Sequence, residues 1–480
     1  MVSIRSLFLI GCIFGAFNLA LAKTYTQKTF LMPRSPGQNL AFESTSWHRL
    51  IYPAVKSEQK WHLQWGDIYQ ASVHGKELGK YFGIGNGSNS FIVGPEPLIG
   101  TTNDSEVYSD YIIHDYAVIS DAETVHPLTG IVSFSPKQEI LGDRLDVIGE
   151  FCDCCYIKAS LPVVSVRNTM RMRITSQQPA QMKNGSGTVT AEYSLSDYFK
   201  GGVDVCQAMD DADLQVPLTH AKIDGGRRYT GLSDLDVQFG YKCYHTEAAH
   251  VFLNLGVTLP TSNKPKGKWL FEPLTGNGAH AGLGFGFDTG ARLWEKGSSD
   301  LTLMAFANYR YLFEGTEHRT LSLKPDNFSA VMDRPVLLHY ALLAQNGAAA
   351  YTPLIPAANL LTQKLAVKPG NSLDAVLDLS LKSGQFVIDL GYNLFYKDKE
   401  SIKLKHGTWQ DNVYGIAASD VDTSAGITLS QLVNNHLITT ADFDVNAAKT
   451  PAYLTNKIFG GLGYTYTFND KYPCLFGMGA

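Results

Sequence analysis

The chain has 480 residues, 40 Lys and Arg against 45 Asp and Glu, and a mean hydropathy of −0.08. A net charge of −5 argues against nucleic acid as a partner. No internal run approaches the ~18 apolar residues of a membrane helix, which leaves open a β-barrel, where only alternate residues need be apolar.

Residues 1–22 carry one charge, Arg5, then an apolar run, then Ala20-Leu21-Ala22. This is the pattern of a secretory signal peptide cleaved after a small-x-small triplet. A lipoprotein reading of Leu9-Ile10-Gly11-Cys12 is weaker, because the apolar segment ahead of Cys12 is too short. The remaining ~458 residues suit one barrel of about 12 to 14 strands. Residues 23–107 are polar and rich in Gly and Pro, with one strand pattern over 61–69 (Trp61, Leu63, Trp65 against His62, Gln64, Gly66). Three roles stand for that segment: a first barrel strand, a plug in the lumen, or a periplasmic cap. The run 83–87 (GIGNG) matches no complete phosphate-binding fingerprint and reads as a turn.

Strand patterns resume over 111–119, 130–134, 145–151 and 159–172. Pro162 predicts a bulge or strand end in the last of these. Four long alternating runs follow, over 235–243, 249–259, 281–293 and 301–313. Leu235, Val237, Phe239 and Tyr241 alternate with Asp236, Gln238, Gly240 and Lys242; Leu283, Phe285 and Phe287 alternate with Gly284, Gly286 and Asp288. A period of two sends alternate side chains to opposite faces of a sheet. Such runs exceed the ~5–6 residues of a typical globular strand and match the ~9–11 that cross a bilayer. A soluble β-sandwich would keep shorter strands and a more charged outer face.

The connections separate the two readings. From residue 145 onward short links, near 152–157, 245–248, 295–300, 382–385 and 469–471, alternate with long ones over 174–233, 260–280, 314–371 and 397–453. Outer-membrane barrels segregate short periplasmic turns from long outer loops, and a sandwich has no reason to. Tyr309, Tyr311 and Phe313 end one strand at the long-loop side, and Tyr464, Tyr466 and Phe468 end another at the short-turn side, as two aromatic girdles require. The expected fold is therefore all-β: a transmembrane antiparallel β-barrel of about 12 strands (10 to 14) over 108–480. The last strand, from Tyr472, stops at Gly479-Ala480 without a terminal aromatic, which reads as a chain lacking several residues.

Gly231-Leu232-Ser233-Asp234-Leu235, the LGVTLPT segment at 255–261 and the glycine-rich strand 282–290 resemble the outer-membrane family associated with phenol meta-cleavage degradation. That family is itself similar to the fatty-acid channel barrels. The resemblance covers roughly 230–315 and implies a barrel that passes small apolar or aromatic compounds.

Parity places Asp236, Lys242, His250, Asn254, Asp288, Arg292, Asn308, Arg310 and Asp389 on the lumen face. A 281–293/301–313 hairpin puts Gly284 and Gly286 roughly opposite Asn308 and Arg310, leaving room for long side chains. Arg310 and Arg292 then become fixed cations expected to bias ion passage. No catalytic constellation stands out, since no G-x-S-x-G run occurs and Ser, His and Asp are scattered. Cys152-Asp153-Cys154-Cys155 lacks a second Cys or His group at fixed spacing, so no metal and no cofactor is expected. Disulfides and free thiols both stand for Cys152, Cys154, Cys155, Cys206, Cys243 and Cys474. Two functions follow: a passive outer-membrane channel for small apolar or aromatic solutes, or a surface-interaction barrel with a plugged lumen. Membrane lipid is the expected partner of either, with lipopolysaccharide phosphates facing Lys264, Lys266, Lys268, Arg227, Arg228, Lys399, Lys403 and Lys405.

Overall fold

The structure is a computed structural model. It describes residues 28–42, 60–83, 87–94, 107–108, 123–124, 128–183, 189–204, 215–223, 225–324, 337–340, 354–416, 437–468 and 472–480. Eleven strands form one sheet in chain order: β1 (Trp61–Ala71), β2 (Lys137–Cys152), β3 (Cys155–Thr169), β4 (Leu235–His245), β5 (Ala249–Leu259), β6 (Gly282–Lys296), β7 (Ser299–Leu312), β8 (Ser372–Ser383), β9 (Phe386–Lys397), β10 (Tyr453–Phe468) and β11 (Tyr472–Gly479). Every neighbour is antiparallel, and the sheet curls into a half-barrel. A further strand, Gly226–Leu232, continues beside β3 beyond the end of β4. Among the described residues β1 and β11 are edges with no mutual pairing.

Each face keeps to the polarity that the alternation dictates. Leu255, Phe285, Leu283, Phe386 and Leu390 are 63, 49, 52, 63 and 60% exposed on one face. Arg144, Asp146, Asp236, His250, Asp288, Asp378 and Asn393 are buried on the other. The exposed face has a polar exception where Asp67 of β1 and Asp143 of β2 are cross-strand partners.

The connections alternate as expected. Two residues join β2 to β3, β6 to β7 and β8 to β9, whereas 72–136, 170–234, 260–281, 313–371 and 398–452 run at the opposite end. Those long connections are folded. Phe82, Phe91, Leu128, Phe134, Leu195, Tyr198 and Phe271 form one core, and Leu321, Leu361, Leu365, Ile402, Ile438 and Phe443 form a second. The run expected as a wall strand at 130–134 belongs here instead. Thr129–Ser133 pairs with Ser90–Gly94 and Arg173–Gln178 in a separate sheet of four strands. The expected strand at 111–119 lies outside the described residues, as do the turn at 469–471 and most of 83–87.

Pro162 neither ends nor bulges β3. Its carbonyl accepts the Ser233 N–H at 2.9 Å, so its absent N–H would point to the same side. There the neighbour of β3 changes from β4, which ends its pairing at Ser160, to Gly226–Leu232, which begins at Val163. A residue without a donor fits that handover because no ladder bond is lost.

Candidate functional site

The concave, polar face of the half-barrel is filled by the chain's own N-terminal segment. Residues 28–32 lie in the loop-end structure, where Thr29 N–H donates to Ala447 O and Met32 N–H donates to Thr450 Oγ1. Residues 34–42 then run against the inner face. Arg34 forms an ion pair with Asp374, donates to Asn393 Oδ1 at 2.8 Å and lies 4.6 Å from the Phe395 ring centre. Gln38 Nε2 faces Asp236 Oδ2 at 3.4 Å, and Gln38 Oε1 accepts from Asn277. Arg144 donates to Gly37 O at 3.2 Å while bonding Asp146 and Ser160. Phe42 occupies the space above Gly66, where any Cβ would overlap its ring. Of the three roles open to 23–107, this segment therefore supplies both a wall strand, β1, and an occupant of the interior.

The residues assigned to the lumen face pair off locally. Arg310 bonds Asp236 Oδ2 at 2.9 Å and Thr258 Oγ1 at 3.2 Å, and Thr258 donates to Asp236 Oδ1. Lys242 pairs with Glu150 at 2.8 Å, His250 with Asp288 at 3.1 Å, and Asp389 accepts from Ser380. Gly284 faces Arg310 and Gly286 faces Asn308, so the hairpin reading brought the right four residues together with the two partners exchanged. A Cβ on Gly286 would overlap the side-chain oxygens of both Asn308 and Asn254. The void that Asp236, Asn254, Asn308 and Arg310 share measures about 10 Å³, room for about one water. Arg310, expected as a fixed cation, is paired with Asp236. Arg292 lies apart, near the short-turn end, where a bulge follows it and Glu295 pairs with it at 3.0 Å.

Sequence reading missed Arg144, Lys158 and the whole contribution of 34–42. Arg144 was hidden by Asp143, which interrupts the apolar face of β2 and made the strand seem to start at 145. Nothing local marks Arg34 as a partner of Asp374, which lies 340 residues away.

A second polar cluster joins the loop end to the interior. Arg319, with its side chain fully buried, pairs with Glu317 and Glu400 at 2.6 Å each and stacks 3.6 Å from the Phe30 ring centre. Glu317 also meets His280 Nε2 at 2.7 Å, and Glu400 accepts the Thr450 N–H at 2.8 Å. Burial alone would raise the Glu400 carboxyl, but the Arg319 and Lys397 charges outweigh it and hold it below its ordinary value. Burial pushes the Asp234 carboxyl up against N–H bonds from Asn277 and Ser262 that pull it down.

The sizeable cavity among those described lies at the open edge. It measures about 670 Å³ and runs between β1 and β10–β11, with Phe42, Trp65, Ile68, Phe459, Leu462 and Met478 in its lining and Asn39, Gln64 and Lys457 as polar points. It is the gap between the two unpaired edges of the sheet.

No helix among the described residues is long and apolar enough to cross a membrane, which says nothing about a β-barrel. No protein-family profile matches the chain, and no curated protein matches it.

Proposed function

We propose that the protein is an outer-membrane β-barrel that passes small apolar or aromatic solutes, with residues 34–42 closing its lumen at rest. One observation carries this reading: the sheet is inverted, with large apolar side chains exposed and charged ones buried. In water the exposed face would be unfavourable at ~25 cal/mol per Å² of apolar surface, whereas in hydrocarbon that term vanishes. Closure of the half-barrel into a ring belongs to the proposal. With eleven antiparallel strands β1 and β11 run in the same direction, so a twelfth strand between them would be antiparallel to both.

A second reading is favoured by the filled interior. If the segment never leaves, the wall is a scaffold for the folded loop end, and the protein acts through that surface. Planar-bilayer conductance separates the two. Arg34→Ala removes the ion pair to Asp374 and should raise the frequency of open events at least tenfold over the unsubstituted protein. If neither protein conducts or admits a small aromatic solute into vesicles, the channel reading fails and the scaffold reading takes its place.

A further inference from the structure

The turn between β2 and β3 is only Asp153–Cys154, tighter than the link expected from sequence, and this changes the chemistry of its cysteines. Cys152 and Cys155 become direct cross-strand partners closing the hairpin. A bulge between Glu150 and Cys152 re-aims the end of β2. Cys154 sits in the turn itself, with its carbonyl held by the Lys242 N–H at 2.7 Å. Cys155 is fixed on its other side opposite Tyr241 of β4. The result is three thiol sulfurs within 4.8 Å of one another, with Cys152–Cys154 at 3.3 Å and Cys154–Cys155 at 3.6 Å. All three are free thiols and partly exposed.

We propose that Cys152, Cys154 and Cys155 form a three-thiolate site for a soft monovalent cation of the Cu(I) type. Thiolate–metal bonds of ~2.3 Å place the sulfurs of a three-coordinate complex ~3.8–4.0 Å apart. Two separations, 3.3 and 3.6 Å, fall just short of that range and the third is no more than 4.8 Å, so small side-chain rotations complete the shell. Soft thiolates select Cu(I) and zinc over harder cations, and the number of ligands decides between the two. Structural zinc takes four ligands in a closed tetrahedron. Among the described residues no His, Asp or Glu joins the trio, and Cys243, although also toward this end, lies outside it. Three sulfurs satisfy Cu(I) and leave zinc one ligand short. The backbone is fixed on two sides by strands, so binding orders little more than three short side chains. The site stands on its own geometry, independent of whether the barrel conducts.

The full chain, refolded in detergent and fully reduced, is titrated anaerobically with Cu(I) against a competing chromogenic chelator. One equivalent should bind, with near-ultraviolet thiolate-to-metal absorption. Cys152→Ser, Cys154→Ser and Cys155→Ser should each weaken binding by on the order of tenfold or more, whereas Cys243→Ser and Cys474→Ser should not change it. Retention of the sheet signal in circular dichroism shows that each variant folds. Zn(II) displacing Cu(I) at equal concentration would overturn the assignment. So would Cu(I) uptake that survives the triple serine variant, since adventitious binding at Cys243 or Cys474 would then explain it. A reduced, folded protein that takes up no Cu(I) would end the proposal outright.

Discussion

The strand wall and the loop end obey opposite polarity rules within one chain. In the wall, Leu255 and Phe386 are each 63% exposed while Asp378 and Asn393 are fully buried. In the loop end, Leu321, Leu361 and Phe134 are buried, as in an ordinary water-soluble domain. The same residue types are sorted in opposite directions, so the difference lies in what surrounds each region rather than in composition. The described residues of the loop-end connections are also well packed. They carry two hydrophobic cores, small sheets and the Glu317–Arg319–Glu400 cluster, and they hold residues 28–32 so that 34–42 enter the interior at a fixed point.

The largest effect should come from the buried charges of the loop end. Glu400→Ala leaves Arg319 with Glu317 alone in a fully buried site, and breaking such a pair costs about 3–5 kcal/mol. Limited proteolysis should show 398–452 becoming cleavable while the sheet signal persists. Loss of the wall at the same time would mean that the two regions are one cooperative unit. Next comes a matched pair of truncations. Leu321→Ala should cost about 2–5 kcal/mol through a cavity in its core, while Leu255→Ala should change stability in water-free surroundings by little. Equal losses at both positions would break the comparison, since Leu255 would then be packed against protein.

Charge substitution sharpens the contrast on the wall itself. Leu255→Arg should destabilise by about 2–4 kcal/mol in lipid vesicles. Gln238→Glu, on the buried face opposite Lys158, should be tolerated. Similar titration curves for the two would mean that the exposed face does not meet hydrocarbon. Gly286 would be an unsuitable control on that face, because its neighbours Asn254 and Asn308 leave no room for a side chain.

The smallest effect is pH-dependent. Glu400 is held below the ordinary carboxylate value, so the stability it adds is fully present above about pH 4.3 and is lost as pH falls through its folded value. Acid should therefore loosen the loop end before the wall, by less than Glu400→Ala does, because a protonated carboxyl still accepts hydrogen bonds. Protease susceptibility followed downward from pH 6 checks this. A loop end that tightens on acidification would reverse the sign and contradict the Arg319–Glu400 assignment.

Sequence alone determined most of the wall strands and their facing, but it put 130–134 in the wall and began β2 at 145 instead of Lys137. A period of two ties each side chain's face to its number, and chain-order pairing follows from short turns. So 235–259 and 282–312 were legible almost to the residue, although the partners of Gly284 and Gly286 came out exchanged. Only tertiary structure decided what the inward charges do. Arg310 read as a fixed cation on the lumen face, and its partner Asp236 lies three strands away in the sheet. Likewise, 34–42 had no periodicity to announce its place, because an irregular segment is positioned by the groups that receive it. The Cys152–Cys155 turn needed its exact length, since shifting a hairpin by one residue moves a thiol to the other face. Periodicity is a local property and fixes local geometry. Charge pairing, plugging and ligand convergence depend on contacts between residues far apart in the chain, and only the folded chain brings those together.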